Sequence, residues 1–142
     1  MSGNEKKFMK RTLSLLCLAV FFLILGGCRM IRIEEGNRRS LSYSVMEVSQ
    51  IPEEMKELIE EKKESEFQIA YQKGKELFLA KGYGRQMSGG YSIQVTELSE
   101  SSNAVFFVTK LIGPTEEVQG GEPSYPYIVI KTEYRDVPVQ FQ

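Results

Sequence analysis

The stretch FQIAYQKGKELFLAKGY, Phe67–Tyr83, carries the clearest fold signal in the chain. Its first residues alternate between apolar and polar, which is the pattern of a strand with one buried face. The sequence Gln72–Lys75 is typical of a hairpin turn, and the apolar run Leu77–Tyr83 predicts the returning strand. The stretch therefore predicts an antiparallel hairpin within a β-rich domain.

The segments on either side of this hairpin predict more strands. Period-2 alternation is present in Leu41–Val45 and again in Tyr91–Thr96, while Ala104–Ile112 and Tyr125–Thr132 are apolar runs of the kind that buried strands show. Another strand is predicted close to the C-terminus, around Pro138. Because proline has no N–H to donate to a ladder, we expect this strand at a sheet edge.

One helix is predicted, over Pro52–Glu64, where Met55, Leu58 and Ile59 form an apolar stripe at helical spacing. Proline suits the first helical turn, and early acidic residues favour the positive end of the helix dipole. About seven short strands and one helix predict a mainly β (α+β) fold. We expect a small antiparallel sandwich or barrel that carries the helix.

The start of the chain has the order of features found in a bacterial lipoprotein signal. The basic segment Lys6–Arg11 precedes the apolar run Leu13–Leu25, whose 13 residues are fewer than the ~20 that a spanning helix needs. The sequence Leu25–Cys28 then matches a lipobox. We expect residues 1–27 to be a signal peptide and Cys28 to carry lipid (diacylglycerol and palmitate) at the extracytoplasmic face of the cell membrane. An uncleaved anchor helix is the alternative.

Processing at Cys28 would leave 115 residues, enough for one domain. We expect a lipidated tether over residues 28–40 and a single β-rich domain over residues 41–142. Loss of four basic residues and Glu5 leaves 14 basic and 18 acidic residues, a formal net charge of −4. This balance argues against a nucleic-acid partner.

Cysteine and histidine usage restricts the chemistry. The chain has two cysteines, Cys17 in the signal and Cys28 at its end, and no histidine. Disulfides, thiolate catalysis, histidine-based catalysis and the usual zinc sites are therefore excluded from the folded domain. We expect no cofactor, metal site or catalytic residue. An enzyme would need carboxylates or a Ser–Lys pair, with candidates Glu97, Glu116, Glu117, Glu122, Glu133, Asp136, Ser88 and Ser124.

Two glycine-containing loops interrupt the strands and supply the candidate partner-binding residues. The first, Gly82–Gly90, enters the strand at Tyr91, and its glycines permit a tight exposed turn. The second, Gly113–Ser124, enters Tyr125–Tyr127, where tyrosine and proline form a stiff amphipathic surface of a kind common in interfaces. A plain hairpin loop and inward-facing tyrosines remain the alternatives. The candidate residues are Ser88, Gly89, Gly90, Tyr91, Pro123, Tyr125, Pro126 and Tyr127.

Both loops resemble the C-terminal domain of the protease-complex subunit PrcB family. Met87–Ile93 resembles that family's glycine-glycine-tyrosine turn and strand, and Tyr125–Lys131 resembles its closing Pro-Tyr-hydrophobic strand. The resemblance covers about Ala80–Thr132, with Ser88 where the family often has threonine. It implies a non-catalytic lipoprotein that accompanies a secreted or surface protease.

A second hypothesis is inhibition of a peptidase. The turn Ser88–Tyr91 and the Gly120–Gly121 loop are weakly similar to the glycine-bearing loops of chagasin-like cysteine-peptidase inhibitors, which are also small β-sandwiches. That family's Arg-Pro-Trp loop has no counterpart, since the chain contains no tryptophan. The accessory-subunit hypothesis is therefore the preferred one.

Overall fold

The computed structural model describes residues 2–25, 32–116 and 121–142, and it divides into the units Met1–Arg32 and Ile33–Gln142. The first unit contains a single described helix, α1 (Ser2–Leu25). None of the described helices is both long and apolar enough to cross a membrane. Cys28 lies outside the described residues, so its lipidation stays a prediction.

The described residues of the second unit form a helix, a 3-10 turn and eight strands arranged in two sheets. The outer sheet has the strand order β1-β5-β6-β8, and the central sheet has the order β2-β7-β4-β3. The elements are β1 (Arg39–Ser40), β2 (Ser44–Val45), the 3-10 turn (Val48–Gln50), α2 (Glu53–Lys62), β3 (Glu66–Lys73), β4 (Glu76–Tyr83), β5 (Ser92–Glu100), β6 (Val105–Ile112), β7 (Tyr127–Glu133) and β8 (Val139–Phe141).

The central sheet is covered on both faces, which gives the domain three layers. On one face Phe78 and Val129 pack with Met55 and other residues of the helical side. On the opposite face Leu79 and Ile130 pack with residues of the outer sheet. Neighbouring residues of one strand point to opposite faces, so β4 is buried along most of its length. This double burial explains why the apolar run that predicted β4 does not alternate.

The predicted helix is confirmed as α2, which follows Pro52 and ends two residues earlier than expected, at Lys62. Met55 and Ile59, four residues apart, are fully or almost fully buried against the central sheet. Burial of each such side chain stabilises a fold by about 1.5–3 kcal/mol. Packing of this one stripe therefore holds α2 in place, while its charged face remains in solvent.

The sandwich is confirmed, and two details differ from expectation. In the described residues the sheets share no strand, so the barrel alternative is wrong. The sheets are also not wholly antiparallel, since β8 pairs with β6 in parallel. β8 lies at an edge of the outer sheet, as Pro138 predicted, and the Pro138 carbonyl accepts a hydrogen bond from the Val105 amide at 2.9 Å.

The strand predicted over Leu41–Val45 is wrong as a single element. The Leu41 amide donates to Leu98 of the outer sheet at 2.9 Å, whereas the Met46 amide donates to Val129 of the central sheet at 2.8 Å. The chain crosses from one sheet to the other between these two bonds. Its alternation therefore does not describe one face: Leu41 is buried, while Tyr43 and Val45 are 40% and 56% exposed.

Candidate functional site

The two predicted loops lie side by side at one end of the sandwich. We call Gly84–Tyr91, between β4 and β5, the glycine loop, and residues 113–126, between β6 and β7, the proline loop. An antiparallel bridge joins them: the Gln86 amide donates to the Ser124 carbonyl at 2.8 Å, and the Ser124 amide donates back at 3.0 Å. Residues 117–120 of the proline loop lie outside the described residues.

Further hydrogen bonds extend this junction in both directions. The Tyr83 amide donates to the Pro126 carbonyl at 3.0 Å, which continues the pairing of β4 with β7 beyond the sheet. On the other side the Ser124 hydroxyl donates to the Ser88 carbonyl at 2.6 Å. The junction is therefore held mainly by backbone groups, and it fixes the start of the glycine loop on the proline loop. We call the two loops together the joined loops.

The paired glycines of the glycine loop have different structural roles. Gly90 has φ +84°, a left-handed conformation that residues with a Cβ rarely adopt, and an added Cβ would lie 3.0 Å from Cβ of Pro114. At Gly89, by contrast, an added Cβ would meet no atom within 4 Å. The turn therefore requires glycine at position 90 and has open space at position 89.

The tyrosines of the predicted site are all partly buried. Tyr127 lies opposite Gly82 in the sheet, and its ring centre is 6.5 Å from that of Phe67, within the cluster on the helical side. The Tyr125 ring lies 5.2 Å from the Lys63 ammonium, just after α2. Tyr91 lies near Gly113, where an added Cβ would be 3.6 Å from its ring. At Tyr127, packing accounts for the side chain without a binding role.

Among the described residues of the joined loops, one large apolar side chain is exposed. Gly89, Gly90 and Pro123 are exposed, Ser88 and Pro126 are partly buried, and Met87 is 80% exposed. Met87 lies within the family-like stretch Met87–Ile93 but is not among the residues that the sequence predicted for partner binding. The signal that identifies it is a large apolar residue between two polar residues, Gln86 and Ser88, shortly before a glycine pair and in a loop with no alternation to bury it.

Several of the side chains considered for catalysis have other partners. The Ser88 hydroxyl donates to the Gly89 carbonyl at 3.3 Å, and the Ser124 hydroxyl is bonded to a carbonyl as well. Glu97 accepts hydrogen bonds from Ser99 at 2.6 Å and Arg38 at 3.2 Å, and these hold its carboxyl pKa below its ordinary value. Among the described residues no group of three or more carboxylates or thiols has metal-binding geometry. Glu117 lies outside the described residues.

One comparison with known proteins gives a match. Residues 77–133 match the family model described as PrcB C-terminal. Over these 57 of its 142 residues the chain is similar to that family. The resemblance seen over Ala80–Thr132 is thereby confirmed and slightly extended. No curated protein and no solved structure matches the chain.

The matched region has a simple position in the fold. It contains β4 to β7, which are the two inner strands of each four-stranded sheet, together with both joined loops. The strands that lie outside the match, β1, β2, β3 and β8, are the four sheet edges. The matched region thus supplies the centre of the sandwich and the candidate site, and the flanking segments of the chain complete the two sheets.

Proposed function

We propose that this protein is a non-catalytic, lipid-anchored accessory subunit that binds a secreted or surface protease through the joined loops. A protease as the class of partner is supported by the similarity of residues 77–133 to the PrcB C-terminal family, because this stretch contains both loops. Lipidation of Cys28 at the extracytoplasmic face of the membrane is the second element. It is supported by the order of basic segment, short apolar run and lipobox in Lys6–Cys28.

The observation that carries the binding surface is the exposure of Met87 on a loop fixed by hydrogen bonds. Met87 is 80% exposed and follows directly on Gln86, which is bonded to Ser124 through both backbone groups. Methionine is enriched in protein interfaces, and a loop fixed before binding loses less conformational entropy on contact. The joined loops therefore offer a partner a pre-formed surface with an exposed apolar side chain beside the loop junction.

Site-specific photo-crosslinking in cells tests this proposal. A photoreactive amino acid would replace Met87, and a control would carry the same group at Val48, which is 62% exposed in the 3-10 turn. We expect position 87 to form an adduct with an extracytoplasmic protease and position 48 to form none. Adducts with the same proteins at both positions, or none at position 87, would contradict a binding site at the joined loops.

The same experiment separates assistance from inhibition. A protease identified in the adduct would be assayed with and without an excess of the protein. We expect its activity to be maintained or raised, as for an accessory subunit. A loss of activity that depends on Met87 would favour the chagasin-like inhibitor hypothesis instead. The mass of the N-terminal peptide of the mature protein tests lipidation of Cys28 independently of either result.

A further inference from the structure

The segment that precedes the domain is fixed to the outer sheet. We call residues 33–40 the strap; sequence patterning predicted them as part of a tether. The Glu34 amide donates to the Asn103 side-chain oxygen at 2.9 Å, and the Ser102 hydroxyl donates to the Glu34 carboxylate at 2.7 Å. Ser102 and Asn103 lie in the turn between β5 and β6. The strap is therefore docked on that turn.

Two arginines hold the rest of the strap. The Arg38 guanidinium contacts the Glu97 carboxylate at 3.2 and 3.3 Å and stacks on the buried Phe106 ring, 3.8 Å from its centre. Arg39 forms an ion pair with Glu100, which also contacts Arg135 at 2.5 Å. Stacking and paired charges together fix the strap more firmly than a lone surface ion pair does.

The strap and the joined loops lie at opposite ends of β5. Arg39 pairs with Glu100 and Ser40 with Ser99 in an antiparallel register, so the chain before Arg39 runs towards the β5–β6 turn. The glycine loop enters β5 at its other end, Ser92. The eight-residue interval between Ser92 and Glu100 corresponds to ~26 Å along the strand.

The chain between the proposed lipid and the strap is short in comparison. Glu34 is six residues after Cys28, so this connection spans at most ~22 Å when fully extended. A domain inverted on the membrane, with its joined loops on the bilayer, would need a connection longer than the ~26 Å from one end of β5 to the other. Six residues do not reach that far.

We infer that the strap sets the orientation of the domain, holding the joined loops away from the bilayer so that they meet a partner from the aqueous side. This inference rests on the proposed lipid anchor at Cys28. The partner of the joined loops is then a protein whose contact site lies above the membrane surface, at a distance of about the length of the sandwich. With the strap released, the first fixed residue would be Leu41, thirteen residues after Cys28, and a reach of up to ~45 Å would permit inversion.

Fluorescence quenching on vesicles tests the orientation. The full chain, processed in cells, would be reconstituted into phosphatidylcholine–phosphatidylglycerol vesicles that contain a lipid with a nitroxide headgroup. A fluorophore would be attached to Gly89→Cys in the glycine loop or to Lys73→Cys beside the β3–β4 turn, at the strap end. Both positions are exposed, and an added Cβ at Gly89 meets no neighbour. Cys17 and Cys28 are consumed by processing, so each variant has one thiol.

We expect loss of fluorescence at position 73 and little change at position 89. Two further variants should bring quenching to position 89: a ten-residue Gly-Ser insertion after Arg32, and Arg38→Ala with Arg39→Ala. Lys131→Ala, which breaks the exposed contact with Glu76, is the control and should leave the pattern unchanged. The insertion leaves the strap and the core untouched, so it remains informative if the double substitution impairs folding.

The outcomes separate this inference from the proposed function. Equal quenching at positions 73 and 89 in the unaltered chain, or stronger quenching at 89, would overturn the orientation while leaving the lipid anchor intact. No gain of quenching at position 89 in the insertion variant would overturn the role of tether length. A protein that fails to float with vesicles and has an unmodified Cys28 would overturn the proposed anchor, and the orientation with it.

Discussion

The two ends of the sandwich are held together by different kinds of interaction. At the loop end, Gln86 and Ser124 exchange two backbone hydrogen bonds, and Gly90 supplies a conformation that other residues rarely adopt. At the strap end, carboxylates bind guanidinium groups, as in Arg38 with Glu97. Backbone bonds do not titrate, whereas ion pairs respond to pH and to salt. The proposed binding surface, which is held by backbone hydrogen bonds, thus lies opposite a strap whose ion pairs solution conditions can weaken.

The largest effect on stability is expected from a substitution at Gly82, near the end of β4 and just before the glycine loop. In Gly82→Ala the new Cβ would be built 2.1 Å from the Phe67 ring, which is buried beside Tyr127. The ring must move within a packed cluster, so we expect the free energy of unfolding to fall by about 3 kcal/mol. Denaturant unfolding measures this, with Gly89→Ala as the control. A decrease of less than ~1 kcal/mol in the free energy of unfolding would mean that the cluster around Phe67 can rearrange without strain.

The glycine pair offers a matched comparison within the loop itself. Gly90→Ala places a Cβ at φ +84° and 3.0 Å from Pro114, so we expect a loss of about 1–2 kcal/mol in the free energy of unfolding. Gly89→Ala meets open space and should stay within about 0.5 kcal/mol of the parent. Thermal or denaturant unfolding of the two variants side by side checks the difference. Equal effects would contradict the roles assigned to the two positions.

Sequence patterning predicted the parts of the fold that depend on local periodicity. The hairpin Phe67–Tyr83 and the helix over Pro52–Glu64 have apolar residues at the spacing of their element, and both are present. The glycine loop was predicted for the same reason, because Ser88–Gly90 interrupts an otherwise regular alternation.

Features that depend on distant pairs were not predictable from pattern. Arg38 and Glu97 are 59 residues apart, and charged residues in a polar segment have no periodicity that indicates a partner. The bridge between Gln86 and Ser124 could not be predicted either, because it joins two loops that have no alternation of apolar and polar residues. The sequence predicted the glycine loop and the proline loop separately. Their contact follows from the strand pairing within the sheets, which the pattern does not show.

The strap end should loosen in acid while the loop end does not. The Ser99 hydroxyl and Arg38 lower the pKa of Glu97, and Arg39, with a contribution from Arg135, lowers that of Glu100. Unfolded glutamate has a pKa of ~4.3. The stability from these carboxylates is therefore fully present above ~4.3 and is lost as pH falls through their lower folded pKa values.

Hydrogen exchange measures this difference between the ends. Protection factors, which correct for the intrinsic pH dependence of exchange, would be compared for the Glu34 amide in the strap and the Gln86 amide in the loop junction. We expect the protection factor of the Glu34 amide to fall as the solution is acidified. The protection factor of the Gln86 amide should stay constant. Parallel loss at both amides would indicate general unfolding, and constant protection at Glu34 would show that the carboxylates do not hold the strap.

The smallest effect on stability should accompany the clearest effect on function. Met87 is 80% exposed, so Met87→Ala is expected to change the free energy of unfolding by no more than about 0.5 kcal/mol. If Met87 is an anchor residue of the interface, the same truncation should cost more than ~1 kcal/mol of binding. Val48→Ala removes another exposed apolar side chain and is the control for general surface effects. Binding of the crosslinked protease by calorimetry, measured for both variants, separates the two quantities. Equal affinities would exclude Met87 as an anchor of the interface. Weaker binding by Met87→Ala at unchanged stability would identify the loop end as the surface that binds the protease.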